Sequence, residues 1–324
     1  MDLSVVIPTL NKVALLERTL DALAAQDLVG CQWEIVVVDD GSNDGTAAML
    51  ASRAERADSQ VRPVSPGRNL GRAAARNYGA RRAAGRYLLF LDDDIVAPPG
   101  LLAAHLALLV AHPGDGTIGY AVTEPSLIDA PHFHYLDTRA VAKLLPGPAP
   151  AKYFVTQNAA VPREAFLSIG GFDEEFAAYG FEDMEVAFRL EESAGVSFHA
   201  LKQPVPQHVH HHTLAEYFAK KRECGARSLS QLAAKHPDRI AEMGLHLVID
   251  PSPQRRAGWP IRLLRRAAGG WPGRAVQALV RSWPTGGGSR PRWPRLYFRL
   301  MDLAVFACFE QGLNDRSDTG SVRS

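Results

Sequence analysis

Arg86-Tyr-Leu-Leu-Phe-Leu-Asp-Asp-Asp94 carries an unbroken apolar run straight into three consecutive carboxylates. A short, continuous stretch of Leu, Tyr and Phe predicts a strand buried on both faces. Three carboxylates at the end of such a strand repel one another by several kcal/mol in a partly dry site unless a cation lies among them. A divalent ion, which prefers hard oxygen ligands, is the cation expected. In an extended chain Asp92 and Asp94 point to one side and Asp93 to the other. Asp94 is therefore the first candidate metal ligand. Asp92 serves the metal, a metal-bound water or a ribose hydroxyl, with Asp93 beside them.

Outward from this stretch, strands are expected over 3–7, 33–38 and 61–65, and helices over 13–25, 43–53, 71–84 and 98–110. Strands separated by helical patterns imply parallel pairing with right-handed crossovers. The fold class is thus α/β: a Rossmann-like, mixed but mostly parallel sheet flanked by helices. Ligands in such sheets bind at the carboxyl ends of the strands. Pro8-Thr9, Asp39-Asp40 and the triplet 92–94 all fall at those ends, so three polar clusters share one edge of one sheet. Further on, 117–122 reads as a strand and 125–150 as an irregular insertion rich in Pro and His. Extended structure is expected over 152–156, helices over 163–168 and 182–192, a strand over 196–200 and a helix over 214–235.

Several residues at these places carry chemistry. Asp39 or Asp40 can accept from the N3–H of a uracil or thymine ring or from a ribose hydroxyl; helix capping by Asp40 or Ser42 is the competing reading. In Asn69-Leu-Gly71-Arg72-Ala-Ala-Ala-Arg76-Asn77, the two arginines stand four apart on one helix face. The amides at that helix start, opened by Gly71, suit an anion. With Arg68 and Asn69 they can meet a diphosphate or a nucleobase, or else form a solvated basic face. Glu182 and Asp183 open a helix, where the macrodipole favours negative charge. An ionised carboxylate there can take a proton from a hydroxyl, although first-turn acids also act as ordinary caps. His208, His210, His211 and His212 crowd one short segment. In an extended chain 208, 210 and 212 share a face, and a neutral imidazole can complete a metal shell. His208 is favoured, with His210 second, and an imidazole tilts the choice toward Mn²⁺ over Mg²⁺.

The chain of 324 residues is 46% hydrophobic and 22% charged, which supports a full-sized core. Its net charge of +1 hides an asymmetry. Residues 251–324 contain 13 Arg, no Lys and four acids, a net of +9, which leaves −8 on 1–250. This excludes a uniformly basic nucleic-acid binder. The same tail holds four of the five Trp, and two amphipathic helices are expected over 261–282 and 295–312, with the final dozen residues disordered. Such helices either lie on an anionic membrane surface or pack on the rest of the chain. Cys31, Cys224 and Cys308 show no paired spacing, which argues against a disulfide framework or a zinc-cysteine site. The first residues form no leader pattern and no apolar stretch approaches the ~18–20 residues of a membrane span. A cytoplasmic protein is expected, peripheral at the inner face of the membrane if the tail binds lipid.

Five motifs together resemble the family 2 glycosyltransferases of GT-A fold: Ser4-Val-Val-Ile-Pro-Thr9, Val36-Val-Val-Asp-Asp-Gly-Ser42, Asn69-x-Gly-x-x-x-Ala-Arg-Asn77, Phe90-Leu-Asp-Asp-Asp94 and the Glu182-Asp183 pair. Gly170-Gly-Phe-Asp-Glu also resembles the galactosyltransferase-type segment of bacterial chondroitin-polymerase-like enzymes. The resemblance covers about 1–235. It implies a nucleotide-sugar donor, most often a UDP-sugar, with Asp39 at the base and Asp92 and Asp94 at ribose, diphosphate and metal. Pro8, Thr9, Asp40, Arg68, Asn69, Gly71, Arg72, Arg76 and Asp93 would complete the donor site. It implies inversion with Asp183 as base beside Glu182, and Asn158, Gly171 and Phe172 near the sugar or acceptor. The divalent ion would be Mn²⁺ or Mg²⁺, and the acceptor a hydroxyl on a glycan, a lipid-linked or a small molecule. A catalytic domain over 1–240 is expected, with a nucleotide-binding half at 1–122, an acceptor half at 151–235, and a helical extension at 241–324. The processive Gln-x-x-Arg-Trp pattern is absent after the Glu-Asp pair, so transfer would be non-processive. A sugar nucleotidyltransferase would need a Gly-rich basic loop after the first strand, where Pro8-Thr-Leu-Asn11 stands. A non-catalytic sugar-nucleotide or polysaccharide binder stays open.

Overall fold

The computed structural model describes residues 1–57, 59–210, 212–250 and 257–320, with side chains through 315. Its internal contacts define two compact units: 1–127 with 137–177 and 183–211, and 128–136 with 178–182 and 212–324.

The first unit begins with the expected alternation: β1 (Leu3–Thr9), α1 (Val13–Ala24), β2 (Trp33–Asp39), α2 (Thr46–Ala54), β3 (Val61–Val64), α3 (Arg72–Arg82) and β4 (Tyr87–Leu91). Then follow β5 (Ile95–Val96), α4 (Leu101–Ala111), β6 (Gly116–Ile118) and β7 (Val122–Thr123). After α5 (Pro131–Leu136), which belongs to the second unit, come β8 (Gly147–Pro148), β9 (Asn158–Pro162), α6 (Arg163–Ser168), α7 (Glu182–Ala194), β10 (Phe198–Ala200) and β11 (Gln207–His208). Eight strands form one sheet in the order β3-β2-β1-β4-β9-β6-β10-β8, and β5-β11-β7 form a second, small one. The block β3-β2-β1-β4 is parallel, whereas β9 runs antiparallel to both β4 and β6.

Burial explains these elements. β4 is buried throughout, as its continuous apolar run requires. α1 turns Leu16, Thr19, Leu20 and Leu23 inward at helical spacing. α3 is built differently: Ala73, Ala74, Ala75, Gly79 and Ala80 form its buried side. A Cβ on Gly79 would lie 2.7 Å from Val6 Cγ1 and 2.8 Å from Val38 Cγ2, so only glycine allows this close approach to β1 and β2. That approach buries Arg76 and Asn77 as well.

The structure departs from expectation in four places. Extended structure begins at β9, not at 152–156, where a 3₁₀ turn (Ala151–Tyr153) stands. β9 is central, and Ala159, Ala160 and Val161 tolerate complete burial in a way that Lys152 and Tyr153 do not. The 214–235 helix divides at Arg227 into α8 (Leu214–Ala226) and α9 (Ser228–Lys235), followed by a short α10 (Arg239–Glu242). The 261–282 helix divides at Gly270 into α11 (Trp259–Gly269) and α12 (Trp271–Arg281). Each opens with Trp-Pro, and proline starts a helix but cannot continue one. The last helix, α13 (Pro294–Gly320), runs into the segment expected to be disordered; 321–324 lie outside the described residues.

His105, on α4, is fully buried, with Nδ1 2.7 Å from Thr117 Oγ1 and Nε2 2.8 Å from Asn158 Oδ1. Burial lowers its pKa from 6.5 to about 4. The neutral ring therefore contributes stability that is complete above pH 6.5 and is lost as pH falls toward 4. Between about pH 7.5 and about pH 4.5, His105→Gln should remove about 2–3 kcal/mol of the wild type's loss of stability in urea titrations.

Candidate active site

β1 and β4 pair in parallel with Val6 opposite Phe90, so the residues just past both strands meet at one edge. Thr9 Oγ1 donates to Asp93 Oδ2 at 2.8 Å. Lys12, between β1 and α1, places Nζ 2.9 Å from Asp93 Oδ1 and 2.8 Å from Asp94 Oδ2. Asp93 and Asp94 form a turn, so the alternation of an extended chain does not apply to them. Both are buried and share the lysine, while half-buried Asp92 takes Arg76 Nη2 at 2.9 Å. The repulsion assigned above to a metal is thus already met by Lys12 and Arg76, and on its own it does not require an ion.

The case for an ion rests on Asp94 instead. Its Oδ1 is buried, takes no well-aligned hydrogen bond, and lies 3.1 Å from His208 Nε2. That is roughly the spacing of adjacent ligands around one octahedral ion, and an oxygen-imidazole pair suits Mn²⁺. His208 arrives by topology: β11 pairs antiparallel with β5, setting His208 opposite Ile95, one residue past Asp94. Burial alone would raise Asp94, but the close approach of His208, with the charge of Lys12, holds it well below the usual carboxylate range. The same contact raises His208 despite its burial. Asp93 is pushed up to about 6, burial outweighing Lys12.

Arg76 carries the site toward α7. Its Nη1 lies 3.9 Å from Asp183 Oδ1, which accepts from Thr156 Oγ1 at 2.8 Å. Glu182 is buried at the start of the same helix. At the end of β2, Asp39 Oδ1 accepts from the Ser42 amide at 2.9 Å. Asp40 accepts from the Leu70 and Gly71 amides at 2.7 and 3.0 Å, which fastens the loop entering α3; burial raises its pKa, and those amides pull it back. Pro8 is half-buried, whereas Arg68, Asn69 and Arg72 are exposed. Asn69 Oδ1 accepts from Gly71.

The residues assigned to sugar or acceptor have structural partners. Both polar atoms of the Asn158 side chain are engaged, with His105 and with the Tyr120 carbonyl. Phe172 is buried against Phe90 and Phe166, its main chain clamped by Asn77 through two 2.8 Å hydrogen bonds. A Cβ on Gly171 would collide with Asn77 Oδ1. His210 is half-buried two residues beyond His208, and His211 lies outside the described residues. Sequence reasoning missed Lys12 and Thr156. The signal for Lys12 was a basic residue just past β1, the strand paired with the one that bears the acids. It also missed His112, Asp115 and His199, whose ligand atoms all lie within 4.8 Å of one another. That group sits at the amino ends of the parallel strands, away from the edge that bears Asp94.

Comparison with known proteins bears on the family and the fold. Residues 139–213 match the model described as the N-terminal domain of galactosyltransferase. Validoxylamine A glucosyltransferase from Streptomyces hygroscopicus subsp. jinggangensis is 37% identical over 217 residues, 58% of this chain and 51% of that protein. The chain thus spans about half the length of that relative. Among solved structures, the mannosyltransferase PcManGT from Pyrobaculum calidifontis, in complex with GDP-Man and Mn²⁺, has a TM-score of 0.62 at 23% identity, over 97% of this chain and 86% of that one. S. aureus TarS 1–349 with UDP-GlcNAc gives 0.54 at 16% identity, over 98% and 92%. These likenesses show the fold, the GT-A arrangement that the motifs implied. Residues 4–167, half of the chain, match the model for glycosyl transferase family 2, and the chain belongs to that family.

Proposed function

We propose that this chain transfers a hexose from a nucleotide-sugar donor, a UDP-sugar by preference, to a hydroxyl acceptor with inversion and without processivity. The observation that carries this reading is Arg76, one buried guanidinium 2.9 Å from Asp92 and 3.9 Å from Asp183. It ties the acids on the donor side to a carboxylate suited to accept a proton.

In this reading Asp94 and His208 would hold Mn²⁺, with Asp92 beside them; when bound, the ion neutralises charge on the diphosphate leaving group. Asp183, oriented by Thr156, takes the acceptor proton as the oxygen attacks the anomeric carbon from the face opposite the diphosphate. Arg76, freed from water by burial, favours the developing negative charge. Asp39 would meet the base and the exposed Arg68 and Arg72 the phosphates. The GDP-Man and UDP-GlcNAc complexes of the structural neighbours support a nucleotide-sugar donor, and the glucosyl transfer named for the Streptomyces relative supports a hexose.

A non-catalytic binder of the same ligands is separated by chemistry. Incubation with UDP-glucose and Mn²⁺ in the absence of acceptor should release UDP slowly, and EDTA should stop the release. Tight binding of UDP-glucose without any UDP release, with acceptor mixtures as well as without, would leave the chain a binding protein.

A further inference from the structure

We infer that the outward faces of α11, α12 and α13 form a docking surface for an anionic lipid bilayer. Of the 14 exposed large hydrophobic residues in the described structure, nine lie between 247 and 303. These helices do not lack an inward face: Val280, Tyr297, Met301 and Ala304 are buried in a core of the second unit. They therefore carry a second apolar face, and it is open. Trp259, Trp271 and Trp293 are 71%, 77% and 58% exposed. Leu263 and Leu279 follow the first two at helical spacing, and Leu296 and Leu303 continue the pattern on α13.

Charge selects the occupant. Arg262, Arg266, Arg274, Arg295 and Arg299 are exposed among these apolar residues. Of the nearby acids, Glu310 is buried beside Arg265, Asp315 is paired with Arg222, and Asp302, exposed next to Leu303, accepts from Tyr135 Oη at 2.7 Å, so these five arginines leave the face net positive. Indole rings settle at the level of lipid headgroups, leucines reach the acyl boundary, and arginines meet phosphate oxygens. A second copy of the chain would set arginine against arginine in a two-fold interface, which disfavours self-association on this face. No helix among the described residues is long and apolar enough to cross a membrane, so the surface lies on the bilayer.

The test is co-flotation of the full chain with phosphatidylcholine vesicles, with and without about 30% phosphatidylglycerol. Binding should require the anionic lipid and should be accompanied by a blue shift of tryptophan emission. At about 1 kcal/mol per basic residue near an anionic surface, Arg266→Ser with Arg274→Ser should weaken partitioning about thirtyfold. Trp259→Ser with Trp271→Ser should weaken it by at least tenfold, by loss of interfacial burial. These four side chains are exposed, so an unchanged melting temperature is expected and confirms folding. Equal binding to neutral and anionic vesicles, binding to neither, or a tryptophan variant that partitions like wild type would each overturn the inference. None of these outcomes touches the transfer reaction, which is read separately by UDP release.

Discussion

Asp183→Asn is expected to lower sugar transfer by about 10²–10⁴-fold, the usual span for loss of a general base, while nucleotide-sugar affinity stays near wild type. Asparagine keeps the shape of aspartate and retains an oxygen to accept from Thr156 Oγ1, now 2.8 Å from Asp183 Oδ1. Arg76 keeps its shorter contact, 2.9 Å to Asp92, so the donor-side acids remain organised. What disappears is the ability to hold the acceptor proton. Single-turnover transfer and calorimetric donor binding, measured on the same preparation, separate the two effects. Full turnover by the variant would remove Asp183 from the base role. The buried neighbour Glu182 would then be tested as Glu182→Gln. A parallel fall in donor affinity would instead mean that Asp183 acts through Arg76, as an organiser of the donor site.

Long-range order in this chain is legible where a physical pattern spans enough residues. β1, β2 and β4 are continuous apolar runs, and the helices between them follow from period and length, so the edge that bears Thr9, Asp39 and Asp94 could be read directly. Strands of two residues, such as β5 and β11, have no period to read. Yet it is their pairing that brings His208 to Asp94; histidine density suggested the residue, but nothing in the spacing gave its partner. The turn at 93–94 is a second limit. Counting sides along an extended chain assigned Asp93 away from Asp94, and the turn reunites them under one lysine. Asn158 shows a third: resemblance to a family placed it near the sugar or acceptor, but no pattern in the sequence gave the His105 and Tyr120 partners that engage its side chain. Lys12 escaped because a lysine after a strand ordinarily reads as solvated.

Lys12→Met should lower stability by about 2 kcal/mol, or a few degrees in melting temperature. Removing one member of a buried ion pair can cost about 3–5 kcal/mol, and the lower figure reflects the exposure of Lys12. Its side chain is 33% exposed, against 7% and 5% for Asp93 and Asp94. Neither remaining cation replaces it. Arg76 is engaged with Asp92, and His208 reaches the other oxygen of Asp94. Methionine fills similar volume without charge, so the loss is electrostatic and not a cavity. The variant also distinguishes a metal site from a self-contained ion-pair cluster. If Asp94 and His208 are ligands, Mn²⁺ supplies the missing positive charge and raises the melting temperature of Lys12→Met more than that of the wild type, because ligands that favour the folded state stabilise it by mass action. Lys12→Met combined with Asp94→Ala should lose that added response. No Mn²⁺ shift in either protein, or a shift that persists unchanged when Asp94→Ala is added, would leave Lys12 and Arg76 as the cations of this edge and remove the metal from the reaction proposed for it.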